Sequence, residues 1–100
     1  VLKNIAKITE NDLNKIKELG CVKYEISNLE GIDRLKNLTS LNLTKNKISN
    51  ISPLSGLTNL KRVGLGGNKI TDISALNKLT KLEEAMTHLK EEQRICIEFF

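Results

Sequence analysis

A 22-residue period constrains this chain more than any other feature of its sequence. The stretch LTSLNLTKNKISNISPLSGLTN, Leu38 to Asn59, is followed by LKRVGLGGNKITDISALNKLTK, Leu60 to Lys81. Leu38, Leu41, Leu43, Ile48, Ile51, Leu54 and Leu57 in the first stretch are answered by Leu60, Val63, Leu65, Ile70, Ile73, Leu76 and Leu79 in the second, and Asn46 by Asn68. Self-similarity at a fixed period marks a unit that cannot bury its apolar face alone, so neighbouring units stack and share one core. Each stretch is therefore one coil of a solenoid.

The spacings within a coil say how it folds. In LNL the outer leucines are two apart, which puts them on one face of a strand and Asn42 on the other. The leucines go inward, and Asn42 is expected at solvent. Where the chain bends away from the strand, backbone groups are left inside the bend, and an asparagine amide both donates to carbonyls and accepts from N–H groups. Asn46 and Asn68 are expected to stack as a ladder. The return leg ISPLSGLTN has apolar residues three apart, with Pro53 and Gly56 between them, which suits 3₁₀ turns on a convex side.

The same register runs back through Leu35, Ile32, Leu29, Ile26, Cys21 and Leu19, with Tyr24 in the asparagine slot, so the first coil is degenerate. Ahead of it, ITENDLNKIKEL reads as a short amphipathic helix. Thr9 is its N-cap, Asp12 is an acidic partner of its N-terminus, and Leu13, Ile16 and Leu19 form its apolar stripe. Such a helix covers the open end of the stack, with Ile5 and Ile8 adding to the cover. Past Leu79 the register fails. Ala85, Thr87, Lys90 and Glu92 fall where Val63, Leu65, Asn68 and Ile70 would recur, while Leu82, Ala85, Met86, Leu89 and Gln93 trace a helical stripe ahead of a strand-like ICIEFF. The expected domain organisation is an N-terminal cap over residues 1–18, about three coils over 19–81 and a C-terminal cap over 82–100. The fold class is an α/β solenoid: a short leucine-rich repeat with a parallel concave sheet and 3₁₀ turns on its convex side.

One hundred residues, 39% hydrophobic and 28% charged, make one small domain burying roughly 60–65% of its unfolded surface. No apolar run approaches membrane-spanning length, and the N-terminus has neither the basic segment nor the apolar core of a signal peptide. The expected location is cytoplasmic, with no membrane partner. The net charge of +4 comes from lysines scattered over every coil, a pattern that solubilises. With three arginines and three aromatics, the tools of base recognition are scarce. Cys21 takes the slot of Leu43 and Leu65, and Cys96 lies near the end of the stack. Strand spacing separates the two by on the order of 15 Å, so both are expected to be free and buried.

The motif L-x-x-L-x-L-x-x-N-x-I-x-x-I-x-x-L, carried by both intact coils, resembles the bacterial internalin-type leucine-rich repeat. The segment ITENDLNKIKEL followed by ISNLEGIDRLKNLTSLNL is similar to the way that family leads into its repeats. The resemblance covers about residues 8 to 82. It implies a curved solenoid that binds proteins on its concave sheet.

No constellation of residues points to catalysis, to a metal or to a cofactor. His88 is the single histidine and has no partner at the spacing a zinc site or a Cys/His pair needs. The neighbouring carboxylates Glu83 and Glu84, and likewise Glu91 and Glu92, point about 100 degrees apart on a helix and do not converge. The run GLGG at Gly64 to Gly67 has no helix-opening Gly-Lys-Ser/Thr after it, so it is not a phosphate loop. The Asn-x-Ser/Thr triplets at Asn37, Asn42 and Asn50 are generated by the repeat itself.

What remains is the concave face, where Val22, Ser40, Asn42, Thr44, Arg62, Gly64 and Gly66 alternate with the core. Gly64 and Gly66 side by side leave a flat place where a partner can approach the backbone. The expected function is a non-enzymatic protein-protein interaction module, an inhibitor or adaptor, presenting on the order of 800 Å² to one folded partner. A competing reading is a basic binder of RNA or of a ribonucleoprotein, such as a small phage or bacterial inhibitor of a guided nuclease. A third is a fragment of a longer internalin-like surface protein.

Overall fold

The computed structural model describes residues 9–86, and of Glu84–Met86 it describes the backbone. The 22-residue period becomes a parallel sheet of four strands in the order β1-β2-β3-β4. They are β1 Glu18–Gly20, β2 Ser40–Asn42, β3 Arg62–Gly64 and β4 Glu84–Met86. Leu19, Leu41, Val63 and Ala85 are partners along one line of the sheet, so the spatial register equals the sequence repeat. Pairing runs past the strands at both ends. Thr39 and Lys61 donate backbone N–H bonds to Lys17 and Thr39 carbonyls at 2.8 Å, and Leu43 donates to Gly64 at 2.8 Å.

Because Leu41, Leu43, Ile48, Ile51, Leu54 and Leu57 all turn inward, the second coil closes completely around them. Its return leg is the 3₁₀ turn Ser52–Gly56, with Pro53 at its start, where a missing N–H costs nothing. Equivalent turns occupy Ile32–Arg34 and Ser74–Lys78. Ahead of each leg a short side chain folds back on its own chain. Asn28, Asn50 and Asp72 accept from the backbone N–H two residues on, at 2.9, 3.0 and 2.9 Å, so an Asx turn recurs at the period of the coil.

The N-terminal helix α1 spans Glu10–Asn14. Thr9 and Asp12 form a reciprocal capping box, each side chain accepting the other's backbone N–H at 3.1 Å. Leu13 is buried, and Glu10 pairs with Arg34 of the first coil, pinning the helix to the stack. The helix stops at Asn14, one turn short of the expected stripe, because Leu19 belongs to β1 and extends the sheet instead.

Three further expectations are corrected. Residues 84–86 are not helical: they form β4, paired in register with β3. Backbone pairing on an open sheet edge outweighs the weak helical periodicity there. Ile73, the counterpart of the buried Ile51, is 63% exposed, and Leu65, Ile70 and Leu76 are only half-buried. The third coil is thus less closed than the second. Cys21 is fully buried but is disulfide-bonded and not a free thiol. The expectations for Ile5, Ile8, His88, Leu89, Gln93, Cys96 and ICIEFF concern positions outside the described residues.

Candidate interaction face

The asparagines at the end of the strands hold the turn. Asn46 is buried; its Nδ2 donates to the carbonyls of Cys21 at 2.6 Å and Leu43 at 2.9 Å, and its Oδ1 accepts from Tyr24 N at 2.9 Å and Ile26 N at 3.1 Å. Asn68 does the same one coil later. Its amide donates to Leu43 O at 2.8 Å and Leu65 O at 2.9 Å and accepts from Ile48 N at 3.0 Å. Each asparagine therefore ties its own turn to the preceding coil. The bend itself needs a left-handed residue, supplied by Lys23, Lys45 and Gly67 at φ 64°, 60° and 70°. Only Gly67 meets that demand without strain. A Cβ there would also approach Lys45 Cα to 3.2 Å.

On the concave side, the register assembles three rows across the strands. Glu18, Ser40, Arg62 and Glu84 form the first; Gly20, Asn42, Gly64 and Met86 form the second. Val22, Thr44 and Gly66 follow at the 22-residue offset. In the first row Glu18 and Arg62 are exposed and Ser40 is half-buried. The other rows are closed to a degree that the sequence reading did not anticipate. Val22 is fully buried, Asn42 and Thr44 are 5% and 6% exposed, Gly64 is buried, and Gly66 is half-buried. Asn42 does not project to water: its Oδ1 accepts from Thr44 Oγ1 at 2.6 Å and Thr44 N at 3.2 Å. Alternation tells which residues leave the core face, but parallel sheets are commonly covered on both faces, so leaving the core is not the same as reaching solvent.

Chemistry on this face is sparse. Among the described residues no three side chains are grouped to hold a metal ion, and no helix is long and apolar enough to cross a membrane. Two carboxylates are held below their ordinary range, both by turn hydrogen bonds: Asp12 by the Thr9 backbone N–H and then its hydroxyl, Asp72 by the Ser74 backbone N–H and then its hydroxyl. Neither faces the sheet.

Parallel three-residue strands paired at a 22-residue offset, asparagines that bridge coils and 3₁₀ return legs define a leucine-rich-repeat solenoid. The Leucine Rich repeats (2 copies) family matches residues 36–78. Among solved structures the chain is similar to an internalin (inlF) from Listeria monocytogenes, with 45% identity and TM-score 0.75 over 77% of this chain and 23% of that one. Internalin C2 (inlC2) of the same organism gives 33% identity and TM-score 0.73 over 75% and 33%. The functional domain of InlJ from Listeria monocytogenes, which includes a cysteine ladder, gives 34% and 0.71 over 76% and 16%. Comparison with curated proteins gives no match. The chain is an internalin-type leucine-rich-repeat protein, and it spans a third or less of the length of each of these structures.

Proposed function

We propose that the chain is a non-enzymatic module that binds one folded protein on the concave sheet, acting as an adaptor or as an inhibitor that occupies its partner's surface. The observation that carries this reading is the first row, Glu18, Ser40 and Arg62, set side by side on consecutive strands with two exposed charges of opposite sign. Charges held on a rigid sheet select a partner of complementary pattern. Gly66, half-buried, lies two rows further along the same side. Val22, Asn42, Thr44 and Gly64 are on the same side but buried, and are not counted as contacts.

The test is a photo-reactive amino acid placed at Ser40 on the concave side or at Ser55 on the convex side, irradiated in cell extract. A discrete adduct from Ser40 that disappears when Arg62→Glu is added, with none from Ser55, is the expected result. An adduct formed only from Ser55 assigns binding to the convex side and contradicts the proposal.

A second reading is favoured by the half-open core of the third coil, where Ile73 is exposed while its counterpart Ile51 is closed. In that reading the chain works as part of a longer internalin-like surface protein, with a further coil closing over Leu65, Ile70 and Leu76. A polypeptide extended by one designed 22-residue coil would then melt at a higher temperature than this chain. An unchanged or lower midpoint contradicts it.

A further inference from the structure

On the edge where the chain runs into the strands lies an open groove of about 430 Å³, lined by Lys17, Asn37, Thr39, Asn59, Lys61 and Lys81. The coil period builds it. Lys17, Thr39 and Lys61 are one row, each immediately before a strand, and Asn37, Asn59 and Lys81 are the next. Backbone bonds from Thr39 N to Lys17 O and from Lys61 N to Thr39 O, both 2.8 Å, fix the first row at the spacing of the sheet. Two strand spacings put Lys17 and Lys61 about 10 Å apart. Lys81 Nζ donates to Asn59 Oδ1 at 3.0 Å, which holds the third ammonium over the groove. The row continues into Glu83, which is exposed but does not line the groove.

Three cations and no carboxylate therefore face a space of small-molecule size. Between them stand two amides and a hydroxyl. Asn37 and Asn59 each direct one Nδ2 hydrogen to a backbone carbonyl, of Asn14 at 2.8 Å and Lys36 at 3.2 Å, which orients the amide and leaves the second hydrogen available. Ammonium groups suit oxyanions as point charges, and amide and hydroxyl groups suit the hydroxyls of a sugar or polyol. The lining has neither an arginine nor an aromatic ring, so it offers no platform for stacking bases.

We propose that this groove binds a hydroxylated ligand bearing two phosphate or sulfate groups about 10 Å apart, of the sugar bisphosphate or sulfated disaccharide kind. This site is separate from the concave row and does not rest on the protein-binding reading.

The experiment is an NMR titration of the full chain at near-physiological salt with two probes, a hexose bisphosphate and a sulfated heparin disaccharide. Saturable shifts centred on the amides of Thr39, Asn59 and Lys61 with either probe support the site, and the probe that binds identifies the oxyanion. Lys61→Ala and Lys17→Ala should each weaken binding about tenfold, as loss of a charge-assisted bond does. Lys69→Ala removes the same charge from the opposite edge of the sheet and should change affinity less than about twofold. All are surface changes, and a circular dichroism melt checks that each variant is folded. The proposal is overturned if neither probe binds at millimolar concentration, or if Lys69→Ala weakens binding as much as Lys61→Ala. It is also overturned if a single-stranded oligonucleotide binds through the same lysines more tightly than both probes, since that assigns the edge to nucleic acid.

Discussion

Replacing Asn46 by alanine isolates the contribution of the bridge between coils. The substitution removes little apolar area, yet it takes the acceptor from two backbone donors, Tyr24 N and Ile26 N. The Ile26 N–H loses its acceptor inside a buried turn, at a cost of about 1–3 kcal/mol for an orphaned buried donor. The Tyr24 N–H sits at a more open position, where water replaces the lost bond at a cost of about 0.5–1 kcal/mol. The carbonyls of Cys21 and Leu43 lose one donor each but retain a second lone pair, so they add little. The sum is about 1.5–4 kcal/mol for Asn46→Ala. Asn68→Ala strands a single part-buried donor, Ile48 N, and should cost about 1–2 kcal/mol. Urea unfolding followed by far-ultraviolet circular dichroism measures both. Equal losses, or a larger loss at Asn68, would refute the reasoning, because the two sites differ chiefly in how many backbone donors each amide satisfies and how deeply they are buried.

The same stacking sets further expectations. Leu43→Ala, at a fully closed position, should cost about 3–5 kcal/mol and Leu65→Ala, at a half-open one, nearer 2 kcal/mol; equal shifts in the denaturation midpoint would contradict the difference in closure between coils. Gly67→Ala should destabilise by about 1–3 kcal/mol, since it combines a positive φ with close approach to the Lys45 backbone, and a chemical melt matching the parent would show that the turn relaxes. Asp12 and Asp72 carry lowered folded-state pKa values, so their contribution is present above the unfolded carboxylate value near 3.9 and is lost as pH falls through the folded values. The variants Asp12→Asn and Asp72→Asn should therefore flatten the fall of stability below about pH 4 in an acid titration, and an unchanged acid limb would remove these turns as its source.

The repeat was legible because its physics is local and redundant. Leu41 and Val63 announce an inward face by alternation, Pro53 announces a 3₁₀ leg, and Thr9 with Asp12 announces a helix start. The slot of Asn46 and Asn68 could be found simply by adding 22 to a position. The same offset also links Asn28, Asn50 and Asp72, a signal that went unused because Asx turns leave no apolar trace. What alternation could not say was which second-face residues meet water, and Val22 and Asn42 show the difference: one is an aliphatic side chain at full burial, the other an amide folded onto Thr44. Strand β4 was missed for the opposite reason. Ala85 stands in the sequence where the intact coils carry Leu41 and Val63, and β4 is recognised by its in-register backbone pairing with β3. The lysine groove was invisible because its members lie in three successive turns of the repeat, 22 residues apart.

Every conclusion about the face and the groove depends on coils stacking at an offset of 22 residues. The direct test is a set of inter-strand nuclear Overhauser contacts in isotope-labelled protein. Parallel-sheet contacts linking Leu19 with Leu41, Leu41 with Val63, and Val63 with Ala85 are expected. Contacts at a shifted offset, or helical sequential contacts through Glu84, Ala85 and Met86, would contradict that stacking.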